Sequence, residues 1–222
     1  MLYRCKHPSI IKCFEFIEAE DLAFMVTELY EGGDLQAAMA KINLQSMSES
    51  RLQSIAVRIA EGLSYLHNKR IVHRDIKPEN ILLTNSSSEA EAVICDLGFA
   101  VQLPIGKTCS QTCGTPGYMA PEILAREPYS FGADIWSFGV LLYALVAVRL
   151  PFSVLNETLS EKNIHIAHEL VMKNELNFNG PEWANVSDSL KGLIAGMLDK
   201  DPETRFNADV VLNHPWINND FI

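Results

Sequence analysis

Phe138–Val148, FGVLLYALVAV, sets eleven apolar residues in a row without a single charge. A membrane-crossing helix needs about 20 such residues, so a run of roughly half that length reads as a helix buried on all sides within a protein core. At 222 residues the chain is large enough to supply that core, burying about 70% of its unfolded surface as one large domain or two smaller ones. A composition 48% hydrophobic and 21% charged is that of a soluble globular protein, and the net charge of −10 repels polyanions, which argues against nucleic acid as a partner. The N-terminus, MLYRCKHPSI, has no apolar signal-peptide core. Five scattered cysteines (Cys5, Cys13, Cys95, Cys109, Cys113) without a CxxC pair suit reduced cytosolic thiols rather than a disulfide frame or zinc site. Cys109 and Cys113 alone are close, and a loop accounts for that. The sequons at Asn85, Asn156 and Asn185 read as chance in a chain with no secretory signal.

Around the buried helix the texture changes along the chain. IIKCFEFIE and LAFMVTELY, rich in β-branched and aromatic residues and separated by AED, predict two strands. Two glycines then break the pattern and Asp34 can cap a short helix. From Ser48 onward, Leu52, Ile55, Ala56, Ile59, Leu63 and Leu66 recur at three- and four-residue steps, one apolar stripe on a long helix. Further helices are predicted at about 132–148, 161–172, 187–199 and 208–213. Two short strands, NILLT and AVICD, flank a polar loop, NSSSEAE. The irregular stretch from Gly98 to Pro121 is long enough to be functional or mobile.

Chemistry concentrates in the loops beside those short strands. If the strands bring Asp75, Lys77, Asn80 and Asp96 together, Asp75 can accept a hydroxyl proton and Lys77 can meet a transferring phosphoryl group. Asn80 and Asp96 offer the hard oxygens magnesium prefers. Phosphoryl transfer asks for this equipment, because its catalysis is mostly positioning and charge neutralisation. One such aspartate alone would ordinarily be a cap or a solvated charge. The joint pattern is another matter: HRDIKPEN (His73–Asn80) resembles the catalytic loop of eukaryotic protein kinases, and DLG (Asp96–Gly98) follows at the right distance behind an apolar strand. GTPGYMAPE (Gly114–Glu122), DIWSFGVLLYAL, LPF (Leu150–Phe152) and the late Arg205 with HPW continue the resemblance in family order.

This resemblance implies an α+β, kinase-like fold with a mainly helical large lobe over 32–222 and a reduced β small lobe over 1–31. It implies a protein serine/threonine kinase that uses ATP and Mg2+ and takes a protein hydroxyl as substrate. By the motifs, Asp75 matches the catalytic base, Lys77 the phosphate-contacting lysine, and Asn80 and Asp96 the magnesium ligands. In MVTELYEGGDL, Thr27 matches the gatekeeper, Glu28 and Tyr30 the adenine-binding backbone, and Asp34 the ribose contact, with Leu82 packing under the base. Asp134 would hold the catalytic-loop backbone, and Glu122 would pair with Arg205. Arg74 would pair with a phosphorylated residue of the activation segment. The usual phosphosite, however, holds Gln111, so Thr108, Ser110 or Thr112 would substitute or the segment is ordered without phosphate. Lys77 and GTPGY resemble the serine/threonine branch, and GTPGYMAPEIL with HPWI leans towards the calcium/calmodulin-dependent group. Glu79 and Asp34 would attract an arginine upstream of the target hydroxyl.

Several features depart from the family pattern or imitate other chemistry. Leu97 replaces the usual phenylalanine and still fills an apolar position; Cys13 stands where a larger aliphatic is usual; Ala144 replaces an acid found in some basophilic kinases. GKT (Gly106–Thr108) imitates the end of a P-loop, but Val101 occupies the first glycine position. SIIK lacks partners for a serine–lysine hydrolase, and His165 and His168 lack a third metal ligand. No G-x-G-x-x-G and no V-A-I-K occurs in these residues, and Leu2 matches the last turn of the family's helix C. The expectation is therefore a fragment of a longer kinase that needs the missing small-lobe segment or a regulatory partner. Ile10, Ile11, Phe14, Phe16, Phe24 and Val26 would lie on a marginal hairpin with an open edge. The alternative is a kinase-like binding module without turnover.

Overall fold

The computed structural model describes residues 5–20, 22–41, 47–152 and 163–218. The two apolar-aromatic runs form β1 (Cys13–Ala19) and β2 (Leu22–Thr27), an antiparallel hairpin with a register shift between Cys13 and Glu15. Phe14, Phe16, Phe24 and Val26 are exposed on it. Ile10 and Ile11 do not belong to the hairpin. They precede it and are buried, because Ile11 N–H donates to the Ile94 carbonyl at 2.8 Å and Ile94 N–H donates to that of Ser9 at 2.9 Å. The segment before β1 is thereby stitched into the main body.

After the hairpin, Asp34 caps α1 (Leu35–Lys41), its Oδ1 accepting from Ala37 N–H at 2.6 Å. The striped segment forms α2 (Glu49–Asn68), with Ser48 accepting from Arg51 N–H and all six stripe residues buried. Glu49, in the first turn, takes hydrogen bonds from Ser187 and from Trp216 Nε1, tying the start of α2 to elements far along the chain. Then come β3 (Ile71–Val72), β4 (Ile81–Leu83), β5 (Ala92–Ile94) and β6 (Val101–Gln102). β4 pairs antiparallel with β5, and β3 with β6, giving two small ribbons that pack on α2 through β5 and β3.

α3 (Pro121–Leu124) is a single turn with proline in its first turn. α4 (Gly132–Ala147) is the uninterrupted apolar helix, buried on every side from Ala133 to Leu145. It ends one residue short of the sequence expectation, where Val148 takes φ 56° in the left-handed region usually given to glycine. α5 (Ile164–Lys173) packs on α3, while α6 (Asp188–Met197), α7 (Ala208–Leu212) and α8 (Pro215–Asn218) pack around α4 and α2. The helix expected from about 161 begins at Ile164; residues 161 and 162, like Leu2 and Asn156, lie outside the described set. Tyr143, Phe178 and Trp183 form an aromatic cluster beside α4, and Trp136 stacks on Phe152. Among the described residues no helix is long and apolar enough to cross a membrane.

Candidate active site

β4 and β5 decide which loop residues meet. Ile81 pairs with Ile94, so Asn80, just before β4, stands opposite Cys95, and Cys95 N–H donates to the Asn80 carbonyl at 2.9 Å. Asp96 follows at once. A second bridge comes from His73, fully buried, whose Nδ1 accepts from Asp75 N–H at 3.2 Å and whose Nε2 therefore donates to the Cys95 carbonyl at 2.9 Å. One imidazole thus locks the His73–Asn80 segment to the end of β5.

Asp75, 3% exposed, is the hub of the cluster. Its Oδ1 accepts from the Thr115 hydroxyl at 2.7 Å, and its Oδ2 accepts from Asn80 Nδ2 at 2.9 Å and faces Lys77 Nζ at 3.0 Å. Lys77 also donates to Thr115 Oγ1 at 2.7 Å. Burial pushes the Asp75 carboxyl up, but the Thr115 hydroxyl, the Lys77 ammonium and the Asn80 amide outweigh it and hold the group below the ordinary carboxylate value. Asn80 spends its amide nitrogen on Asp75, and none of the described hydrogen bonds uses its Oδ1. Asp96 is exposed, with Oδ1 accepting from Gly98 N–H at 3.0 Å and Oδ2 clear of such bonds. These two hard oxygens fit magnesium, which holds few protein ligands and keeps water and phosphate oxygens.

The loop carries strain that α4 restrains. Arg74 and Asp96 both have positive φ, 71° and 55°. Asp134, 1% exposed in the first turn of α4, accepts from Arg74 N–H at 2.8 Å, His73 N–H at 2.9 Å and His67 Nε2 at 2.9 Å. Burial would raise the Asp134 carboxyl, but these donors outweigh it and hold it low. Gly114, with φ 112°, lies so close to the loop that a Cβ there would come within 2.7 Å of the Arg74 carbonyl oxygen. Farther out, Arg205 and Glu122 form a bidentate pair at 2.7 and 2.9 Å, both nearly excluded from solvent.

The remaining residues named from sequence lie on two sides. Towards the hairpin, Tyr30 and Leu82 pack with Ile11, Val93 and Cys95 into a small apolar floor. Thr27 ends β2, Glu28 N–H is committed to the Lys12 carbonyl at 3.0 Å, and Asp34 forms a β-bridge with Leu82. On the other side, Arg74 extends into the irregular stretch after Gly98, where its Nη1 donates to Gln111 Oε1 at 3.0 Å; Thr108, Ser110 and Thr112 are exposed. Two contributors escaped the sequence reading: Thr115, between Lys77 and Asp75, and His73. Thr115 sat in a quoted motif, but a hydroxyl 40 residues from Asp75 gives no local signal of that contact. A separate cavity of about 450 Å³, lined by Met47, Glu49, Leu52, Leu145 and Leu190, shares no residue with this cluster. His165 and His168 sit on α5, and among the described residues no group of three or more His, Cys, Asp or Glu could hold a metal.

The sequence pattern of the protein kinase domain matches residues 1–217. This chain belongs to the protein kinase domain family. Over 219 residues, 98% of the chain, it is 34% identical to "Calcium/calmodulin-dependent protein kinase type 1" of Caenorhabditis briggsae, covering 58% of that protein. It is 35% identical over 219 residues to "Serine/threonine-protein kinase H1 homolog" of Danio rerio and 34% over 220 to "Serine/threonine-protein kinase H1" of Homo sapiens, covering 50% of each. The chain thus spans about half the length of the curated relatives it matches. A mainly helical body with short strands is the kinase-like fold expected of the sequence, and the likeness to serine/threonine kinases agrees with its reading of that branch.

Proposed function

We propose that this chain carries the phosphoryl-transfer site of a serine/threonine protein kinase, working in the cytoplasm on protein hydroxyls. The observation that carries the reading is the Asp75 cluster: a buried carboxylate kept ionised, flanked by a lysine and a threonine hydroxyl, with two free hard oxygens beside it. Asp75 accepts the substrate hydroxyl's proton as the oxygen becomes a nucleophile. Lys77 and Thr115 position that carboxylate, and Lys77 has a third donor for an incoming phosphoryl oxygen. Asn80 and Asp96 hold the magnesium that, when bound, neutralises charge on the nucleotide phosphates. Tyr30, Leu82 and the backbone of Glu28 form the floor for adenine, Thr27 the gatekeeper and Asp34 the ribose contact. In this reading 1–31 belongs to the small lobe and 32–222 to the large lobe. Arg74 orders the activation segment through Gln111, while Asp134, Glu122 and Arg205 support it. Five cysteines without a disulfide suit a reducing compartment.

Transfer of labelled γ-phosphate from Mg-ATP to a randomised serine/threonine peptide library tests the proposal. Transfer is expected, and Asp75→Asn should lower it by about 10² to 10⁴-fold. Absence of Mg-dependent transfer would replace enzyme with binding module. Burial raises the Tyr118 phenol and the charge of exposed Glu79 nearby adds to it; Glu79 and Asp34 together should make the same library favour an arginine upstream of the acceptor, and a flat preference would remove that part.

A further inference from the structure

Arg74 is held by four uncharged groups. Its Nε donates to the Phe99 carbonyl, and its Nη1 donates to Gln111 Oε1 at 3.0 Å, Cys109 Sγ at 3.4 Å and the Tyr129 hydroxyl at 3.5 Å. The same Tyr129 organises both thiols of the segment. Its backbone exchanges two hydrogen bonds with Cys109, at 2.9 and 2.8 Å, while its hydroxyl donates to the Gln111 carbonyl at 2.7 Å and lies 3.7 Å from Cys113 Sγ. Cys109 and Cys113 therefore converge on one phenol and one guanidinium, both half-exposed, on either side of the exposed residues Ser110, Gln111 and Thr112. Burial pushes the Cys109 thiol up, but the Tyr129 hydroxyl, the Gln111 N–H and the Arg74 cation outweigh it and bring its pKa below that of an ordinary thiol, which favours the thiolate. The contrast with the other thiols is sharp. Cys5 and Cys95 are buried, with Cys95 pushed up to about 12, and Cys13 Sγ donates to the Glu15 carbonyl.

We propose that Cys109 and Cys113 form a peroxide-responsive dithiol: Cys109 is oxidised first, and Cys113 closes a disulfide that releases Arg74 from the segment. In the first step the Cys109 thiolate attacks one oxygen of a hydroperoxide. The S–O bond forms, the O–O bond breaks, and the departing hydroxide takes a proton to leave as water. The sulfur has lost two electrons to the peroxide and is a sulfenic acid. In the second step the Cys113 thiolate attacks that sulfur, the S–S bond forms, the S–O bond breaks, and hydroxide again leaves as water. The net change is two thiols and one peroxide to one disulfide and two waters. The bridge encloses Ser110, Gln111 and Thr112, so it takes both the Cys109 sulfur and the Gln111 amide away from Arg74. The oxidation holds whether or not the chain transfers phosphate.

Tryptic mapping of the full chain reads this directly. Thr108–Arg126 is one peptide holding both cysteines and no other. With about one equivalent of hydrogen peroxide at neutral pH, that peptide should lose about 2 Da, two hydrogens, while Cys5, Cys13 and Cys95 remain open to alkylation. Cys113→Ser should leave Cys109 as a sulfenic acid captured by a cyclic dione, and Arg74→Gln should slow capture on the order of tenfold. The comparison of Cys109 with Cys13 within the unaltered chain needs no variant to fold. Oxidation of Cys13 as fast as Cys109, or of Cys113 at an unchanged rate in Cys109→Ser, would overturn the proposal.

Discussion

Thr115 shows how one side chain sets the state of another. Its hydroxyl accepts from Lys77 and donates to Asp75, so it conveys the lysine's polarity to the carboxylate while holding both in place. Thr115→Ala removes a hydrogen bond to a charged group, about 1.5–3 kcal/mol in such settings. The Asp75 carboxyl, its burial then less offset, should titrate closer to the ordinary carboxylate value, and phosphate transfer should fall by about tenfold or more. A carboxyl-carbon NMR titration reads the first; an unmoved curve would show that Lys77 and Asn80 suffice. At neighbouring Arg74, the uncharged Gln111 amide already accepts from the guanidinium. Replacing Thr108, Ser110 and Thr112 together by alanine should leave transfer within about twofold, because none of them holds the guanidinium. A loss of ten times that size would mean that a phosphate is required.

Elements convert these contacts into a rigid site, and some were far more legible in sequence than others. The stripe of α2 and the unbroken apolar run of α4 announce themselves because burial fixes residue type over several turns. β3 and β6 escaped because two-residue strands are too short for periodicity, and their partners, Ile71 with Gln102 and Val72 with Val101, lie far apart in the chain. The site was legible as chemistry because its motif crowds Asp75, Lys77 and Asn80 into six positions. Its supports were less so: the fit of Gly114 against Arg74 and the hydroxyl of Thr115 are long-range contacts with no local pattern. Asp134 joins the two levels, since it fixes a strained loop from the start of α4. Its native carboxyl is held below the unfolded value of about 3.9. That contribution to stability is therefore full above the unfolded value and is lost as pH falls through the depressed native one. Asp134→Asn leaves three donors facing an amide with a single acceptor oxygen, and should cost about 3–5 kcal/mol at pH 7. Urea unfolding should show the gap between the two proteins narrowing from pH 5 towards pH 2; a constant gap would place the cost in packing instead.

At the scale of the whole molecule, stability is unevenly spread. α2, α4 and their surrounding helices share one continuous core, whereas β1 and β2 leave Phe14, Phe16, Ile17, Phe24, Met25 and Val26 between 41% and 53% exposed. Cross-strand pairs are then the hairpin's main support, and a two-stranded ribbon is marginal on that footing. The anchor at Ile10 and Ile11 holds its near end to β5 but covers neither face. Hydrogen exchange should therefore separate the two regions. Amides of β1 and β2 should exchange on the order of a thousandfold faster, relative to their unfolded rates, than those in the middle of α2 and α4. The measurement has a second axis, because an apolar face of this kind favours association. If hairpin protection matches that of the helices at high protein concentration and falls on dilution, another copy covers the face. If it matches at every concentration, cross-strand pairing alone sustains the hairpin, and the marginal-ribbon argument fails for this chain.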